Sequence, residues 1–587
     1  MTQDSRDRHG RDLPGGTTER AATHLATALA DHGVEHVFGV SGANIEDLFE
    51  ALHYCERIEP VVAKHEFAAA TMADGYARTS ARIGVVAGTS GGGALNLVAG
   101  LGEAYASNIP VLALVGQPPT SHEGMGAFQD SSGKAGSIDA AALFTQVSTY
   151  CHKVCSADEL DYRLAEAFDA LSRGGPAVLL LPKDVQQQLC SAFQLPRPQQ
   201  SRAERIDTSE LARAIDDADG RITVIVGDDV ARSDARRELA ELLERLGAPT
   251  AVTPDARDTV DPLLPGYLGV AGVMGGPHVA DSLDDSTLCL LVGTRLPMMA
   301  RAGLDEALKS IDVYSIGSSV PYVASTHLHT DDLRSGLRQL TAACGQRSAY
   351  HPERPFRELV VPPSHGPGIR YRDAVKEISE AIPSGSDVFA DAGNTGAAVV
   401  HHLRIGRTSR FVVALGMGGM GYTFGAAIGS ALARRRRTFV IAGDGAFFMH
   451  GMEIHTALEY RVPVTFIVFN NNSHAMCVTR EQVFAQKEHP GNRFTTAYIA
   501  AGIAAMFPGA STHYASTTTE LTSALAAAAV VDGPAFVEVL CDADELPPFA
   551  PFLATSSSDK SPVNNAPVNN APVKTKENHE LQCARSQ

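Results

Sequence analysis

The stretch that most constrains this chain is GDGAFFMHGMEIHTALEYRVPVTFIVFNNN, residues 443–472. An apolar run, TFVIA at 438–442, leads into Gly443-Asp444-Gly445. A helical pattern follows, and a second apolar run, VTFIVF at 464–469, ends at Asn470-Asn471-Asn472. Two buried parallel strands joined by a crossover helix look like this, because strands covered on both faces read as continuous apolar runs. Both polar clusters then fall at the carboxyl ends of neighbouring strands, where α/β sheets bind ligands. Asp444 offers an anionic oxygen and Asn471 a neutral carbonyl oxygen, a donor set suited to Mg²⁺ shared with phosphates. Gly443 and Gly445 let backbone approach a phosphate and leave N–H groups free at the helix start. The unit predicts a Mg²⁺-bridged diphosphate site. Gly-Asp-Gly alone reads more simply as an ordinary turn; the asparagine pair displaces that reading.

With these residues in view, the segment resembles the thiamine diphosphate binding motif, and the surrounding chain resembles the acetolactate synthase family. The resemblance implies that Asp444, Asn471 and the Ser473 carbonyl hold the metal. It makes Gly418, Met420, Gly443, Gly445, Ala446 and Met476 cofactor contacts, with Met420 as the apolar wedge that bends the cofactor. Met is apolar and adaptable, which suits that place, although a core Met beside a Gly-rich turn is the plainer reading.

A second carboxylate joins the site from the other end of the chain. The short apolar run VVA at 61–63 delivers Lys64-His65-Glu66, and the helical pattern FAAATMADGYAR follows. A Glu at a helix start is ordinarily only a favourable charge on the helix dipole. In the family, a Glu after a strand, ahead of Gly-Tyr-Ala-Arg, is the carboxyl at the pyrimidine ring. His65-Glu66 and Gly75-Tyr76-Ala77-Arg78 reproduce that pattern. The role calls for an apolar pocket that raises the carboxyl pKa. The resemblance also assigns Phe128 and Gln129, from Ala-Phe-Gln, to the substrate side, with Gln129 near the reacting carbonyl. Residues 130–139 form a longer connection than the family's, read as a lid or a surface insertion. Met476 and Val478 match apolar family positions. Arg480 stands where the family has an aromatic wall, and a guanidinium there pairs well with carboxylate or phosphate.

Length and charge set the frame. The chain has 587 residues, too many for one core, so roughly three or four domains are expected. A net charge of −18 argues against nucleic acid as a partner. No apolar run approaches the ~20 residues that span a membrane, and the N-terminus lacks a signal-peptide core, so a cytoplasmic protein is expected. The nine cysteines are scattered without metal spacing. The expected division is a disordered lead at 1–16, a pyrimidine-binding domain at 17–189 and a linker at 190–206. A middle domain at 207–346, a second linker at 347–368, a diphosphate-binding domain at 369–548 and a disordered tail at 549–587 complete it. All three domains read as α/β with parallel sheets, the thiamine diphosphate-binding fold.

In the family the middle domain holds FAD. The matching segments are residues 272–278 and 293–295, but the acidic residues of the family's flavin stretch are replaced by RLPMMAR at 295–301. FAD is therefore left open. The implied reaction is decarboxylation of a 2-oxo acid, pyruvate first, with carboligation of the resulting enamine to a carbonyl acceptor. The alternatives are the same decarboxylation with another acceptor, and an inactive cofactor-binding relative with a regulatory role. The family builds each site between two subunits, so a homodimer or homotetramer is implied.

Overall fold

The computed structural model describes residues 18–191, 205–348 and 358–556. The expected lead, most of the first linker and of the tail, and residues 349–357 of the second linker lie outside the described residues. Three six-stranded parallel sheets are present, each covered by helices. The first runs, in spatial order, Glu59–Val62, His36–Val40, Gly84–Gly88, Val111–Gln117, Ala177–Pro182 and Tyr150–Lys153. The third runs Phe411–Val413, Asp387–Ala390, Thr438–Gly443, Val464–Asn470, Ala535–Leu540 and Ser511–Ala515. These two share one winding order. The middle sheet differs: counted along the chain its strands lie 3-2-1-4-5-6, the dinucleotide-fold order. Thr438–Gly443 pairs in register with Val464–Asn470, so Gly443 lies opposite Phe469, as the two apolar runs predicted.

The first and third domains meet along two helices, Glu66–Ser80 and Tyr422–Arg434. Glycines permit the close crossing. A Cβ on Gly75 would strike the Ala426 carbonyl, and one on Gly429 would strike the Met72 carbonyl. Phe38, Phe67, Tyr76, Tyr422, Phe424 and Phe466 belong to one continuous core there.

A buried ion network joins all three domains. Arg410, wholly enclosed, pairs with Asp258 at 2.5 Å and Asp228 at 2.9 Å, and donates to the Arg78 carbonyl at 3.3 Å. Arg78 pairs in turn with Asp74 at 2.8 Å. Residues 549–556, expected to open an unstructured tail, instead include helix Ala550–Ser556, whose Phe552 is buried against Phe549 and Phe484. That apolar cluster gives the segment a reason to order. Among the described residues no helix is long and apolar enough to cross a membrane.

Candidate active site

The winding order of the third sheet reverses between Asp387–Ala390 and Thr438–Gly443. A cavity of about 100 Å³ opens at their carboxyl ends, walled by Gly393 to Thr395, Gly443 to Ala446, Asn471, Ser473, Met420 and Met476. Sheets of this kind bind ligands at such reversals.

Asp444 begins helix Asp444–His450 and is 2% exposed. Its Oδ1 accepts the Gly445 N–H at 2.8 Å, and its Oδ2 accepts those of Asn471 and Ser473, each at 3.2 Å. Burial pushes its pKa up to about 6, against the pull of these backbone donors. The three asparagines have separate jobs. Asn470 donates to Glu538 at 2.5 Å and to the Ala497 carbonyl at 2.8 Å. Asn472 takes a left-handed φ of 52° and accepts from Ala497 N at 2.8 Å. Only Asn471 faces the cavity. Its Nδ2 donates to the Tyr371 hydroxyl at 3.1 Å, and its buried Oδ1 has no partner among the described residues.

That orphaned oxygen is the fit test for a metal. A buried acceptor without a donor is costly, and here it lines the same cavity as a buried carboxylate. A hard cation would satisfy both. The residues fit Mg²⁺ and a diphosphate: one anion, one amide oxygen, and a helix N-terminus with Gly443 and Gly445 beside it.

The structure gathers the other expected residues unevenly. Met420 and Met476 line the cavity with Asp444, Gly443, Gly445, Ala446, Asn471 and Ser473. Gly418 does not; its N–H and that of Met417 are donated to buried Glu103, at 3.3 and 2.6 Å. Val478 is wholly buried and Arg480 exposed, and neither reaches the cavity. Water solvates an exposed guanidinium, so Arg480 has no need of an anionic substrate as partner.

Glu66, Phe128 and Gln129 form a second cluster, at the carboxyl end of the first sheet. Glu66 is half-buried and accepts from Asn96 Nδ2 at 2.9 Å. Its neighbours include Gly88, Gly93 and Asn96. Gln129, at φ 60°, lies across Gly91 and accepts from Thr89 Oγ1 at 3.2 Å. Phe128 is 75% exposed. The 130–139 loop is folded on itself, with Ser132 bridging Asp139 and Lys134 paired to Glu123 at 2.8 Å.

Several residues escaped sequence reasoning. Asp391 is buried and accepts from Gly421 N at 3.0 Å and Thr423 Oγ1 at 2.7 Å, which fixes the turn after Met420. Asn394 lines the cavity with a second orphaned amide oxygen. Asp391-Ala-Gly-Asn394 is a polar and Gly cluster closing a strand, like Gly443-Asp444-Gly445, and that likeness was the available signal. Glu103 had none, being one polar residue within a helix.

The middle domain has a cavity of its own, of about 130 Å³, lined by Gly293, Thr294 and Arg295. Asp228, Asp229 and Asp255 line it together with Arg78 and Arg232, so carboxylates and guanidiniums face it in equal number. Residues 272–278 are turned elsewhere, with the Met274 carbonyl bonded to His401 at 2.8 Å.

Family models describe all three domains. The thiamine pyrophosphate enzyme N-terminal TPP binding domain matches residues 19–137, the central domain 208–319 and the C-terminal TPP binding domain 391–539. The chain belongs to the thiamine pyrophosphate enzyme family. Among its relatives within that family is the acetolactate synthase isozyme 2 large subunit of Escherichia coli, 28% identical over 507 residues, covering 81% of this chain and 87% of that one. The acetolactate synthase of Arthrospira platensis is 29% identical over 487 residues, 76% of this chain and 81% of that one. This thiamine pyrophosphate enzyme therefore has the Asp444 cavity where both the motif and the sheet winding put it.

Proposed function

We propose that this chain binds thiamine diphosphate through Mg²⁺ held by Asp444, Asn471 and the Ser473 carbonyl. With it the protein decarboxylates a 2-oxo acid, pyruvate first, and joins the remaining carbon unit to a carbonyl acceptor. The observation that carries the reading is the orphaned Asn471 Oδ1 in the cavity of the buried Asp444 carboxylate. Bound thiamine diphosphate supplies the electron sink for loss of carbon dioxide. The protein's residues hold and orient. Gly443, Gly445 and Ala446 present a helix N-terminus to the diphosphate. Met420 and Met476 give the cavity an apolar floor. Glu66 keeps a proton at the pyrimidine ring, and Gln129 offers an amide N–H to the reacting carbonyl.

The relatives named acetolactate synthase favour a second 2-oxo acid as acceptor. A different acceptor is the second reading: the sequence has Arg480 where the family has an aromatic wall, so that wall is not supplied at this position. Incubation with pyruvate, thiamine diphosphate and Mg²⁺, followed by product mass analysis, separates them. Acetolactate supports the first reading, and another condensation product the second. Absence of decarboxylation with pyruvate and with larger 2-oxo acids overturns both.

The site is read as shared between two copies, in a cytoplasmic homodimer or homotetramer. Two features support this. Glu66 does not line the Asp444 cavity. The segments that carry the two clusters also expose Leu95, Met125, Phe128, Phe448 and Met449. An active monomer in sedimentation at assay concentration would refute it.

A further inference from the structure

One buried carboxyl has no part in the site so far. Glu453, 1% exposed, closes the short turn Gly451–Glu453 that follows the helix begun by Asp444. One of its partners belongs to the first domain: it accepts the Lys64 N–H at 2.9 Å. Thr456 Oγ1 donates to its other oxygen at 2.9 Å. Lys64 and His65 immediately precede Glu66.

The rest of this third-domain segment grips the same place. Strand Glu59–Val62, which leads to Glu66, is at the edge of its sheet. Tyr460 takes the place of a neighbouring strand: its hydroxyl accepts Val62 N at 2.9 Å and donates to the Pro60 carbonyl at 3.2 Å. The Lys64 ammonium pairs with Glu459. On the other side, the His450 ring stacks on Phe67 with centroids 4.3 Å apart and meets His65 at 5.3 Å. The turn is thus held before and after Glu66. Packing alone would be served by an apolar side chain at 453. A carboxyl is costly to bury, and here burial pushes its pKa up to about 7. What it gains is a fixed direction for the Lys64 N–H, two residues before Glu66.

We propose that Glu453 is a positioning residue: it fixes the turn at 64–66 so that the Glu66 carboxyl meets the pyrimidine ring of thiamine diphosphate. This rests on the Glu66 assignment made above. The test is a double-mutant cycle on the cofactor-loaded enzyme, read by C2 proton exchange of bound thiamine diphosphate. Amide hydrogen exchange at Lys64 in the cofactor-free protein is the second readout. E453D draws the carboxyl back by one methylene and keeps its charge; E453L removes it. Both should slow C2 exchange about 10- to 100-fold and lose amide protection at Lys64. In an E66Q background neither should slow it further, since no carboxyl remains to be aimed. Equal slowing in both backgrounds, or normal exchange in E453D, overturns the proposal while leaving Glu66 in place. Wild-type exchange in E66Q alone overturns the Glu66 assignment and the proposal with it. Should E453L fail to fold, E453D carries the same comparison.

Discussion

Asp444 is a carboxyl held between two states by its surroundings. Burial favours its neutral form and raises its pKa to about 6, while backbone N–H groups favour the anion. A divalent cation would settle that contest in favour of the anion. Asp444→Ala should weaken thiamine diphosphate binding by at least about 10-fold, the scale of one lost charged interaction. Undiminished binding in calorimetry would remove Asp444 from the metal site. Glu453 makes a different prediction. Its folded pKa, about 7, lies above the ordinary 4.5. Between those values the folded state holds a proton that the unfolded state lacks, so its contribution is full below the lower value and is lost as pH rises through the upper. The groups facing it are the Lys64 and His65 backbone, Thr456, and the Lys64 ammonium, which is engaged by Glu459. E453Q does not titrate there. Relative to wild type it should gain up to about 3 kcal/mol on going from about pH 5 to about pH 8. Parallel thermal melts check this; a pH-independent difference refutes it.

At the scale of elements, the crossing of Glu66–Ser80 with Tyr422–Arg434 sets where Glu66 stands relative to the third domain. Gly429→Ala drives a methyl into the Met72 carbonyl. Backbone cannot yield as a side-chain tip can, so a loss of about 1–3 kcal/mol or more is expected, seen as a lower melting temperature; an unchanged one would show that the helices can part freely. The crossover after Asp444 also departs from expectation. One helix was predicted between the two strands, and the chain instead makes Asp444–His450, the turn Gly451–Glu453 and Ile454–Glu459. Gly451 sits where a Cβ would strike the Phe447 ring, and the break there turns Glu453 towards the first domain.

For the whole molecule, Arg410 is the common fastening of three domains, with Arg78 on one side and Asp228 and Asp258 on the other. Arg410→Met would leave Asp258, itself fully buried, without a counter-charge from this residue. A buried pair broken on one side typically costs about 3–5 kcal/mol. Chemical denaturation should therefore show a lower midpoint, with the domains separating before they unfold. A midpoint equal to wild type would mean that Arg236, which also reaches Asp258 at 2.5 Å, carries the charge alone.

The sequence by itself determined the three parallel-sheet domains and the residues around Asp444. Those rest on short-range order: apolar runs covered on both faces, and a turn whose Gly-Asp-Gly and asparagine ends are brought together by one crossover. Adjacent parallel strands leave such ends nowhere else to go. The tertiary structure alone decided the rest. That the turn before Glu66 is bonded to a carboxyl nearly four hundred positions away, that Gly418 answers to Glu103, and that Val478 faces a core while Arg480 faces water depend on which surfaces meet. Periodicity reports which face of an element is apolar; it does not name the element that covers it. The charged residues of the middle domain needed the same information. As letters in a loop Asp228, Asp229 and Arg232 are ordinary, and only the folded chain brings them to one cavity with Arg78 and Arg295.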